Sequence, residues 1–151
     1  MHSRRAFTLI ELVIAVLVIG ILSSVAGPKF AQSLNRMRVE QAANRIKADL
    51  QYARAYAITN SLSVTIQFST ANHNYELVGL KNLDRPSAAY IVELDDAPYN
   101  VRLSSASFNA NTSVTFSVYG QPNNAGSIVV QLSGVSKTIS ISADSGKVSV
   151  L

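Results

Sequence analysis

The chain has 151 residues, of which 48% are hydrophobic and 15% charged, and its formal net charge is +4. This length provides one globular domain of ordinary size plus an appendage, which argues against a multidomain protein. Cysteine is absent, which excludes disulfides, a thiolate nucleophile and a zinc–thiolate site. The low charge content suits a β-rich exported domain.

Charge is distributed unevenly along the chain. Between residues 28 and 60, six lysines and arginines face two acidic residues, whereas from residue 61 onward five basic residues face six acidic ones. The basic balance therefore belongs to the segment that follows the N-terminal apolar run. A nucleic-acid-binding surface needs clustered Lys and Arg, so this distribution weakens that function for the C-terminal part.

An apolar run occupies residues 7–27, and its only polar members are Thr8, Glu11, Ser23 and Ser24. About 20 residues of helix are enough to cross the bilayer core, so the run predicts a membrane-spanning helix. Arg4 and Arg5 precede it, and the positive-inside bias places the N-terminus in the cytoplasm and the rest of the chain outside. The alternative is a cleaved secretory signal peptide, with its cleavage site after Ser24-Val25-Ala26.

Glu11 distinguishes these alternatives. A carboxylate near the centre of a membrane helix costs about 2.5–3.5 kcal/mol on insertion scales, and it contributes nothing to a disposable leader. If the chain is cut between Ala6 and Phe7, the new α-amino group of Phe7 lies about one helical turn from Glu11, in the same helix or in a stacked copy. In a medium of low dielectric constant the two charges neutralise each other. A plain anchor in which Glu11 snorkels to the interface is the other interpretation.

The N-terminal segment RRAFTLIELVIAVLVIGIL resembles the class III signal of type IV pilins and pseudopilins: a short basic leader, a small residue, Phe, Thr-Leu-Ile-Glu and a long apolar helix. The resemblance implies that a prepilin peptidase cleaves between Ala6 and Phe7 and methylates the new amine of Phe7. It also implies that Glu11 guides assembly by pairing with the amine of the adjacent subunit. The family usually has Gly before the cut, where this chain has Ala6, and this departure bears on the efficiency of cleavage. Pro28 lacks an amide hydrogen and is expected to kink or locally melt the helix as it leaves the bilayer.

Residues 29–60 predict a second, amphipathic half of the same helix. Apolar or small side chains recur there mostly every three or four residues, at Phe30, Leu34, Met37, Ala42, Ile46, Leu50, Ala53 and Ala57. This spacing gives one apolar stripe, which we expect to pack on a globular domain. The opposite face is basic, and it either faces solvent or lies near anionic lipid headgroups.

From residue 61 the hydrophobic period changes to two, which predicts β-strands. The alternating sets are Val64/Ile66/Phe68, Tyr75/Leu77, Val101/Leu103, Val114/Phe116/Val118, Ile128/Val130/Leu132 and Ile139/Ile141. Turn residues such as Asn72-His73-Asn74 and Ser133-Gly134 separate them. We therefore predict an α+β fold in which a long N-terminal helix packs on an antiparallel β-sheet or sandwich of seven or eight strands. The expected boundaries are a leader at 1–6, a transmembrane and assembly helix at 7–28, an amphipathic helix at 29–60 and a periplasmic β-rich domain at 61–151.

Residues that could support catalysis or hold a metal are scarce. His2 belongs to the leader and His73 to a turn, in which we expect it to be exposed to solvent, so histidine offers no acid–base pair. Glu93-Leu94-Asp95-Asp96 could contribute oxygen ligands to a calcium ion, although adjacent acids in a loop are usually solvated. The sequence contains neither a nucleophile elbow nor a phosphate-binding Gly loop. We therefore predict no catalytic residue, no metal site and no cofactor.

The C-terminal part adds to the resemblance. The segments DLQYARAYAITNSLSVTIQF (49–68), FSVYGQPNNAGSIVVQL (116–132) and ISADSGKVSV (141–150) are similar to the domain shared by the H-type minor pseudopilins of type II secretion and the FimT minor pilins. The resemblance implies a minor pseudopilin that is anchored in the bacterial inner membrane and projects its C-terminal domain into the periplasm. Its implied partners are the prepilin peptidase, membrane lipid and the other pseudopilins of a filament that supports protein export.

A minor type IV pilin is the alternative function, either in pilus biogenesis or in DNA uptake during transformation. Some FimT relatives bind DNA through basic residues near the C-terminus, and here the corresponding tail holds Lys137 and Lys147 as candidates for contact with phosphate. The segment from Leu80 to Ala110 matches no family pattern. It is expected to decide specificity, since variable connections often carry function.

Overall fold

The computed structural model describes residues 7–82 and 85–151, except for the side chains of residues 25–28. In the chain so described, one long helix is followed by eight strands: α1 (Leu9–Asn60), β1 (Val64–Ser69), β2 (Asn74–Lys81), β3 (Ala89–Glu93), β4 (Arg102–Ser107), β5 (Ser113–Phe116), β6 (Gly126–Leu132), β7 (Val135–Ile141) and β8 (Val148–Val150). The paired strands are antiparallel. The predicted α+β fold, a long N-terminal helix with antiparallel sheets, is therefore confirmed.

The chain divides into two compact units, and the boundary falls within α1, between Leu34 and Asn35. The first unit contains the N-terminal part of α1, and every side chain described in it is exposed. The second unit contains the rest of α1 and the eight strands. Burial of apolar surface within the chain therefore takes place in the second unit.

The part of α1 in the second unit buries one apolar stripe, formed by Val39, Ala42, Ala43, Ile46, Leu50, Ala53 and Ala57. These residues recur every three or four positions because side chains at that spacing lie on one face of a helix. The stripe prediction is confirmed from Ala42 to Ala57. It was wrong for Met37, which is 55% exposed, and for Phe30 and Leu34 in the first unit. Their spacing continues the stripe, but all three side chains remain exposed in the described chain.

The strands form two four-stranded sheets. Sheet A has the order β3-β2-β1-β5, and sheet B has the order β4-β6-β7-β8. Short turns allow consecutive strands to pair. Ser133 and Gly134 form the two-residue loop between β6 and β7 and have φ angles of 47° and 82°. Two successive left-handed residues are typical of the hairpin turn whose twist matches that of the flanking strands.

Alternation along the strands places one face of each sheet in the core. The predicted residues that are buried there are Val64, Ile66, Phe68, Tyr75, Leu77, Val101, Leu103, Val114, Phe116, Ile128, Val130, Ile139 and Ile141. The prediction was wrong for Val118, because β5 ends at Phe116. The backbone N–H of Ser117 donates to the carbonyl of Gln121 at 2.8 Å, and this hydrogen bond turns the chain out of the sheet.

The segment from Leu80 to Ala110, which matched no family pattern, contributes β3 to sheet A and β4 to sheet B. It ends in a tight turn at Asn109 and Ala110, whose φ angles are 50° and 66°. A residue with a Cβ loses about 1–2 kcal/mol in the left-handed conformation. Ala110 therefore occupies a position that glycine would fill with less strain.

A contact between aromatic rings joins the two sheets. The rings of Phe68 in β1 and Phe108, which directly follows β4, are stacked with their centroids 5.7 Å apart. Gly126 begins β6 beside this pair. A Cβ on Gly126 would lie 2.1 Å from a ring carbon of Phe108 and 2.5 Å from the carbonyl oxygen of Ser107. The joint between the sheets therefore requires a residue without a side chain at position 126.

Candidate assembly site

The N-terminal end of α1 forms a capping box from Thr8 and Glu11. The backbone N–H of Glu11 donates to Oγ1 of Thr8 at 3.3 Å, and the backbone N–H of Thr8 donates to Oε2 of Glu11 at 3.5 Å. The hydroxyl of Thr8 donates to the same carboxylate oxygen at 3.5 Å. In this motif the two residues satisfy donors that the first helical turn leaves free. The carboxylate of Glu11 is therefore directed back toward the end of the helix, where Phe7 lies.

Phe7, just before α1, and Glu11, in its first turn, lie at the start of a stretch whose described side chains are exposed. Phe7 is 77% exposed. The most apolar 18-residue window of α1 has a mean hydropathy of 2.7, and none of it is buried within the chain. By length and composition, α1 is the helix in the described residues that could cross a membrane. A helix that is apolar on all sides needs lipid or other helices around it, and in such surroundings a carboxylate interacts strongly with a nearby cation.

Small residues leave room for close approach on the surface of this stretch. A Cβ added to Gly20 would meet no heavy atom within 4 Å. Ala15, on the same helix, is also exposed. Small side chains at a helix surface allow a second helix to pack closely in a membrane. The stretch therefore has the surface that helix-to-helix assembly requires.

The predictions for Ala6 and Pro28 concern processing and helix shape. Ala6 lies outside the described residues, so cleavage between Ala6 and Phe7 stays a prediction. At Pro28 the backbone is helical, since α1 runs without interruption from Leu9 to Asn60, so the prediction of local melting was wrong. The kink of the helix axis at Pro28 also stays a prediction.

The two lysines predicted to contact DNA lie at opposite ends of β7. Lys137 is paired with Val130 near the start of β7, whereas the carbonyl of Lys147 accepts a hydrogen bond from Ser142, just past its end. From position 137 to position 142 an extended chain advances by about 17 Å. Phosphate binding needs basic side chains that cluster on one surface. The fold does not bring these two lysines together, and contact with DNA stays a prediction.

The acidic cluster around Leu94 forms a loop with an apolar centre. Leu94 is fully buried, whereas Glu93, Asp95 and Asp96 are exposed. Oε1 of Glu93 accepts a hydrogen bond from Nδ2 of Asn74 at 3.2 Å. Among the residues that the structure describes, no group of three or more His, Asp or Glu residues could hold a metal ion. The loop therefore presents its carboxylates to solvent.

His73 is less exposed than the sequence predicted. It does lie in a turn, but its side chain is only partly exposed, and its Nδ1 is buried without a hydrogen-bond partner in the described chain. The carbonyl of His73 accepts a hydrogen bond from the N–H of Leu94 at 3.0 Å. This bond holds the turn against the loop after β3, which reduces the exposure of His73.

A buried polar cluster around Asp49 was not predicted. Asp49 is the buried charged residue of the described chain, with 5% exposure. Its Oδ2 accepts hydrogen bonds from the hydroxyl of Tyr75 at 2.5 Å and from Nε of Arg45 at 3.0 Å, and its Oδ1 accepts one from the hydroxyl of Tyr90 at 3.0 Å. Nη2 of Arg45 also donates to the Tyr90 hydroxyl at 2.9 Å. The cluster thereby connects α1 to β2 and β3.

The ionisation of the cluster follows from its burial and from the charge of Asp49. Burial raises the pKa of Tyr90 to about 12, and the neighbouring carboxylate adds to the effect. Burial and the same carboxylate raise the pKa of Tyr75 well above its usual value. Burial alone would lower the pKa of Arg45, but the charge of Asp49, the hydrogen bond to it and the neighbouring Tyr90 and Tyr75 together outweigh burial and raise the pKa. Both tyrosines therefore stay protonated donors, and Arg45 stays a cation, at neutral pH.

Two family models match the chain. The model described as type II transport protein GspH matches residues 42–146, which is more than half of the 151 residues. The model described as the prokaryotic N-terminal methylation motif matches residues 1–27 and so includes Phe7 and Glu11. No curated protein matches the chain.

Solved structures of pilin-like proteins have a similar fold. The type IV minor pilin FimU of Pseudomonas aeruginosa aligns with a TM-score of 0.57 at 20% sequence identity, over 77% of this chain and 90% of FimU. The minor pseudopilin EpsH from the Type 2 Secretion System of Vibrio cholerae aligns with a TM-score of 0.59 at 8% identity, over 76% of this chain and 95% of EpsH. At these identities the likeness concerns the fold alone. The family match decides the assignment: the chain belongs to the GspH family of type II transport proteins and carries the N-terminal methylation motif.

Proposed function

We propose that this protein is a structural minor pseudopilin of a type II secretion system. Residues 7–28 anchor it in the bacterial inner membrane, its C-terminal domain lies in the periplasm, and it joins other pseudopilins in a pseudopilus that supports protein export. The combination of the GspH match with the N-terminal methylation motif carries the proposal. The uncovered apolar surface of the first part of α1 supports it, because such a surface is suited to lipid and to neighbouring helices.

Assembly in this proposal depends on Phe7 and Glu11. Cleavage by a prepilin peptidase between Ala6 and Phe7 creates a new amine at the end of the helix, and methylation leaves that amine a cation. The carboxylate of Glu11 is directed toward the same end of the helix by its hydrogen bonds with Thr8. A neighbouring subunit can therefore bring its Phe7 amine to this carboxylate, and in surroundings of low dielectric constant their attraction favours a stacked arrangement of helices.

The role is structural rather than catalytic. The buried carboxylate of Asp49 accepts hydrogen bonds from three side chains of the same domain. A group engaged in this way is poorly suited to transfer protons to a substrate. The cluster instead fixes β2 and β3 on the helix. This makes the domain rigid, as suits a structural subunit of a filament.

A minor type IV pilin is the second candidate, favoured by the similarity to the fold of FimU. Both candidates use the same anchor, the same processing site and the same helix-based assembly. They differ in the machine that the subunit joins and in the neighbours that surround it.

A crosslinking pull-down from native membranes, read by mass spectrometry, tests the proposal by reporting both the neighbours and the N-terminal peptide. We expect the peptide to begin with a methylated Phe7 and the neighbours to be secretion pseudopilins. Type IV pilins as neighbours would instead assign the protein to a pilus or to a DNA-uptake machine. An intact Met1 with no pilin-like neighbour would reduce it to a membrane anchor.

A further inference from the structure

A cavity opens beside α1 at the end of β2, within the second unit. It has a volume of about 330 Å³, and its lining includes Tyr52 and Tyr56 of α1, Leu80 and Lys81 of β2, and Pro86. Ligand pockets have volumes of about 300–1,000 Å³ and combine an apolar lining with a few polar groups that fix the ligand. The cavity meets both conditions. We call these five residues the tyrosine pocket.

The aromatic wall of the tyrosine pocket is held in place from behind. Tyr52 and Tyr56 are four residues apart on the helix, so their rings are neighbours, with centroids 6.0 Å apart. The ring of Tyr52 also stacks on that of Tyr90, with centroids 6.1 Å apart. The hydroxyl of Tyr90 in turn donates to the buried carboxylate of Asp49 at 3.0 Å. The wall is therefore preorganised, which lowers the entropy that binding costs.

The polar groups of the tyrosine pocket are donors that lack acceptors. Within the described chain, neither the hydroxyl of Tyr52 nor that of Tyr56 forms a hydrogen bond. The ammonium group of Lys81 forms no ion pair there either. Tyrosine hydroxyls and lysine ammonium groups donate hydrogen bonds, and a carboxylate accepts them at both of its oxygens. The free donors therefore suit a ligand that carries a carboxylate.

The charge of the tyrosine pocket agrees with its donors. Among the lining residues that the structure describes, Lys81 is charged and none is acidic. Arg85, next to Pro86, is exposed and likewise has no ion-pair partner in the described part of the chain. Leu80 and Pro86 add apolar surface to the lining. The complementary ligand is thus an acidic group with an apolar group beside it.

We propose that the tyrosine pocket binds an acidic side chain of a different filament subunit, together with an apolar side chain next to it in that subunit. The carboxylate accepts hydrogen bonds from the two tyrosine hydroxyls and from Lys81, and the apolar side chain lies against Leu80 and Pro86. Charge complementarity selects this occupant. Hydrogen bonds to an ionised group are stronger than those between neutral groups, which favours a carboxylate over an amide in the same place.

The choice of a different subunit rests on the proposed function, in which other pseudopilins surround this protein. Tyr52 and Tyr56 lie on α1, the helix through which subunits are proposed to assemble, so a neighbour packed on this part of α1 can reach the pocket. The pairing of Glu11 with the Phe7 amine needs only the N-terminal motif and does not distinguish one subunit from another. A pocket that requires an acidic segment adds that discrimination.

Carbodiimide crosslinking of the full-length protein in native membranes tests the proposal, because this reagent joins a lysine to a carboxylate that touches it. Mass spectrometry identifies both joined residues. We expect Lys81 to be joined to an Asp or Glu of a different pseudopilin about fivefold more than Lys147 is, since binding concentrates the carboxylate at one lysine. Lys147 is the matched control, because it is exposed and lies outside the lining of the pocket.

Substitution of the tyrosines then tests the donors. Tyr52→Phe with Tyr56→Phe keeps both rings but removes both hydroxyls, and it is expected to lower the Lys81 product about fivefold. Tyr119→Phe, at a position that is 82% exposed and outside the pocket, should leave the product unchanged. Lys81→Arg keeps the positive charge without the reactive amine, so it should remove the product and preserve co-assembly. Trypsin resistance of each variant verifies that the domain is folded.

Equal joining of Lys81 and Lys147 to other subunits would overturn the proposal. A Lys81 product with a carboxylate of its own chain, of a second copy or of an exported protein would overturn it too. So would a product that the two tyrosine substitutions leave unchanged.

The same membranes also report the N-terminal peptide and the neighbouring subunits, which separates this inference from the proposed function. A processed Phe7 with pseudopilin neighbours, but without a selective Lys81 product, would leave the proposed function standing and reject only the role of the pocket. A selective product between Lys81 and a type IV pilin would retain that role and assign the protein to the second candidate function.

Discussion

Two acidic side chains of α1, one in the apolar first unit and one in the amphipathic part of the second, find different partners. Glu11, in the first unit, is exposed, and its side chain is hydrogen-bonded to Thr8 one turn earlier in the same helix. Asp49, in the second unit, is buried and is held by Arg45, Tyr75 and Tyr90. Within the described chain, Asp49 therefore has a counter-charge and Glu11 has none.

The difference shows two ways in which a helix can accommodate a carboxylate in apolar surroundings. A buried charge is tolerated when it is paired and hydrogen-bonded. Folding alone supplies these partners to Asp49, whereas in the proposed filament a second subunit supplies the cation to Glu11. Substitutions at the two positions should consequently separate stability from assembly.

The largest expected effect is on assembly. Glu11→Ala should leave the protein in the membrane and the free energy of unfolding of its C-terminal domain nearly unchanged, but lower its co-assembly with wild-type subunits about tenfold or more, because the partner amine loses its counter-charge. Crosslinking of tagged mutant and wild-type copies in the same membranes measures this. Glu40→Ala, which removes an exposed carboxylate from the same helix, is the control. Equal co-assembly of the Glu11→Ala and wild-type proteins would contradict the assignment.

The converse substitution should affect stability. Asp49→Ala is expected to lower the free energy of unfolding by about 3 kcal/mol, because it leaves two buried tyrosine hydroxyls without their acceptor and Arg45 without its counter-charge. Urea unfolding of the full-length protein in detergent, followed by tyrosine fluorescence, measures the change. With Glu40→Ala again as the control, a loss for Asp49→Ala no larger than the control's would show that the cluster contributes little.

The tyrosines of the cluster make the free energy of unfolding depend on pH. Below pH 10, Tyr90 is protonated in the folded and unfolded states. Between its unfolded pKa of about 10 and its folded pKa of about 12, only the unfolded state loses the proton, so stability falls as the pH rises, by on the order of 2 kcal/mol. Urea unfolding at a series of pH values measures the slope. Tyr90→Phe should flatten the slope without abolishing it, since Tyr75 responds in the same direction; an unchanged slope would exclude Tyr90 as the source.

The smallest expected effect is a gain in the stability of the domain, without a change in assembly. Ala110→Gly relieves a left-handed residue that carries a Cβ, and it should raise the free energy of unfolding by about 1 kcal/mol. Ala125→Gly, at an exposed position outside the strands, is the matched control and should give no gain. Co-assembly with wild-type subunits should be the same for both variants. A gain from Ala125→Gly as large as that from Ala110→Gly would rule out the relief of strain.

The sequence predicted those parts of the fold that depend on local spacing. Periodicity records which side of an element is apolar, so the stripe from Ala42 to Ala57 and the alternating strand residues were predictable. Periodicity does not indicate whether another element covers an apolar face. For this reason Met37 was predicted to belong to the buried stripe, although it is exposed.

The sites of Glu11 and Asp49 also differ in how far local spacing could predict their contacts. Thr8 and Glu11 lie within one helical turn, so their contact follows from local geometry. Tyr75 and Tyr90 are 26 and 41 residues from Asp49 along the chain, and no local pattern links positions that far apart. The sequence contains only a weak signal for the buried cluster: Asp49 is next to Leu50 of the apolar stripe and four residues after Arg45.

The glycine at the joint of the two sheets limits how related subunits could be recombined. Gly126 of β6 accommodates the ring of Phe108, and Phe108 in turn stacks on Phe68 of β1. A hybrid protein that received β6 from a relative with a larger residue at this position would clash with the retained ring. The end of β4, the start of β6 and their contact on β1 would have to be exchanged together. The two sheets, each with its own strand order, are thus a single module for engineering.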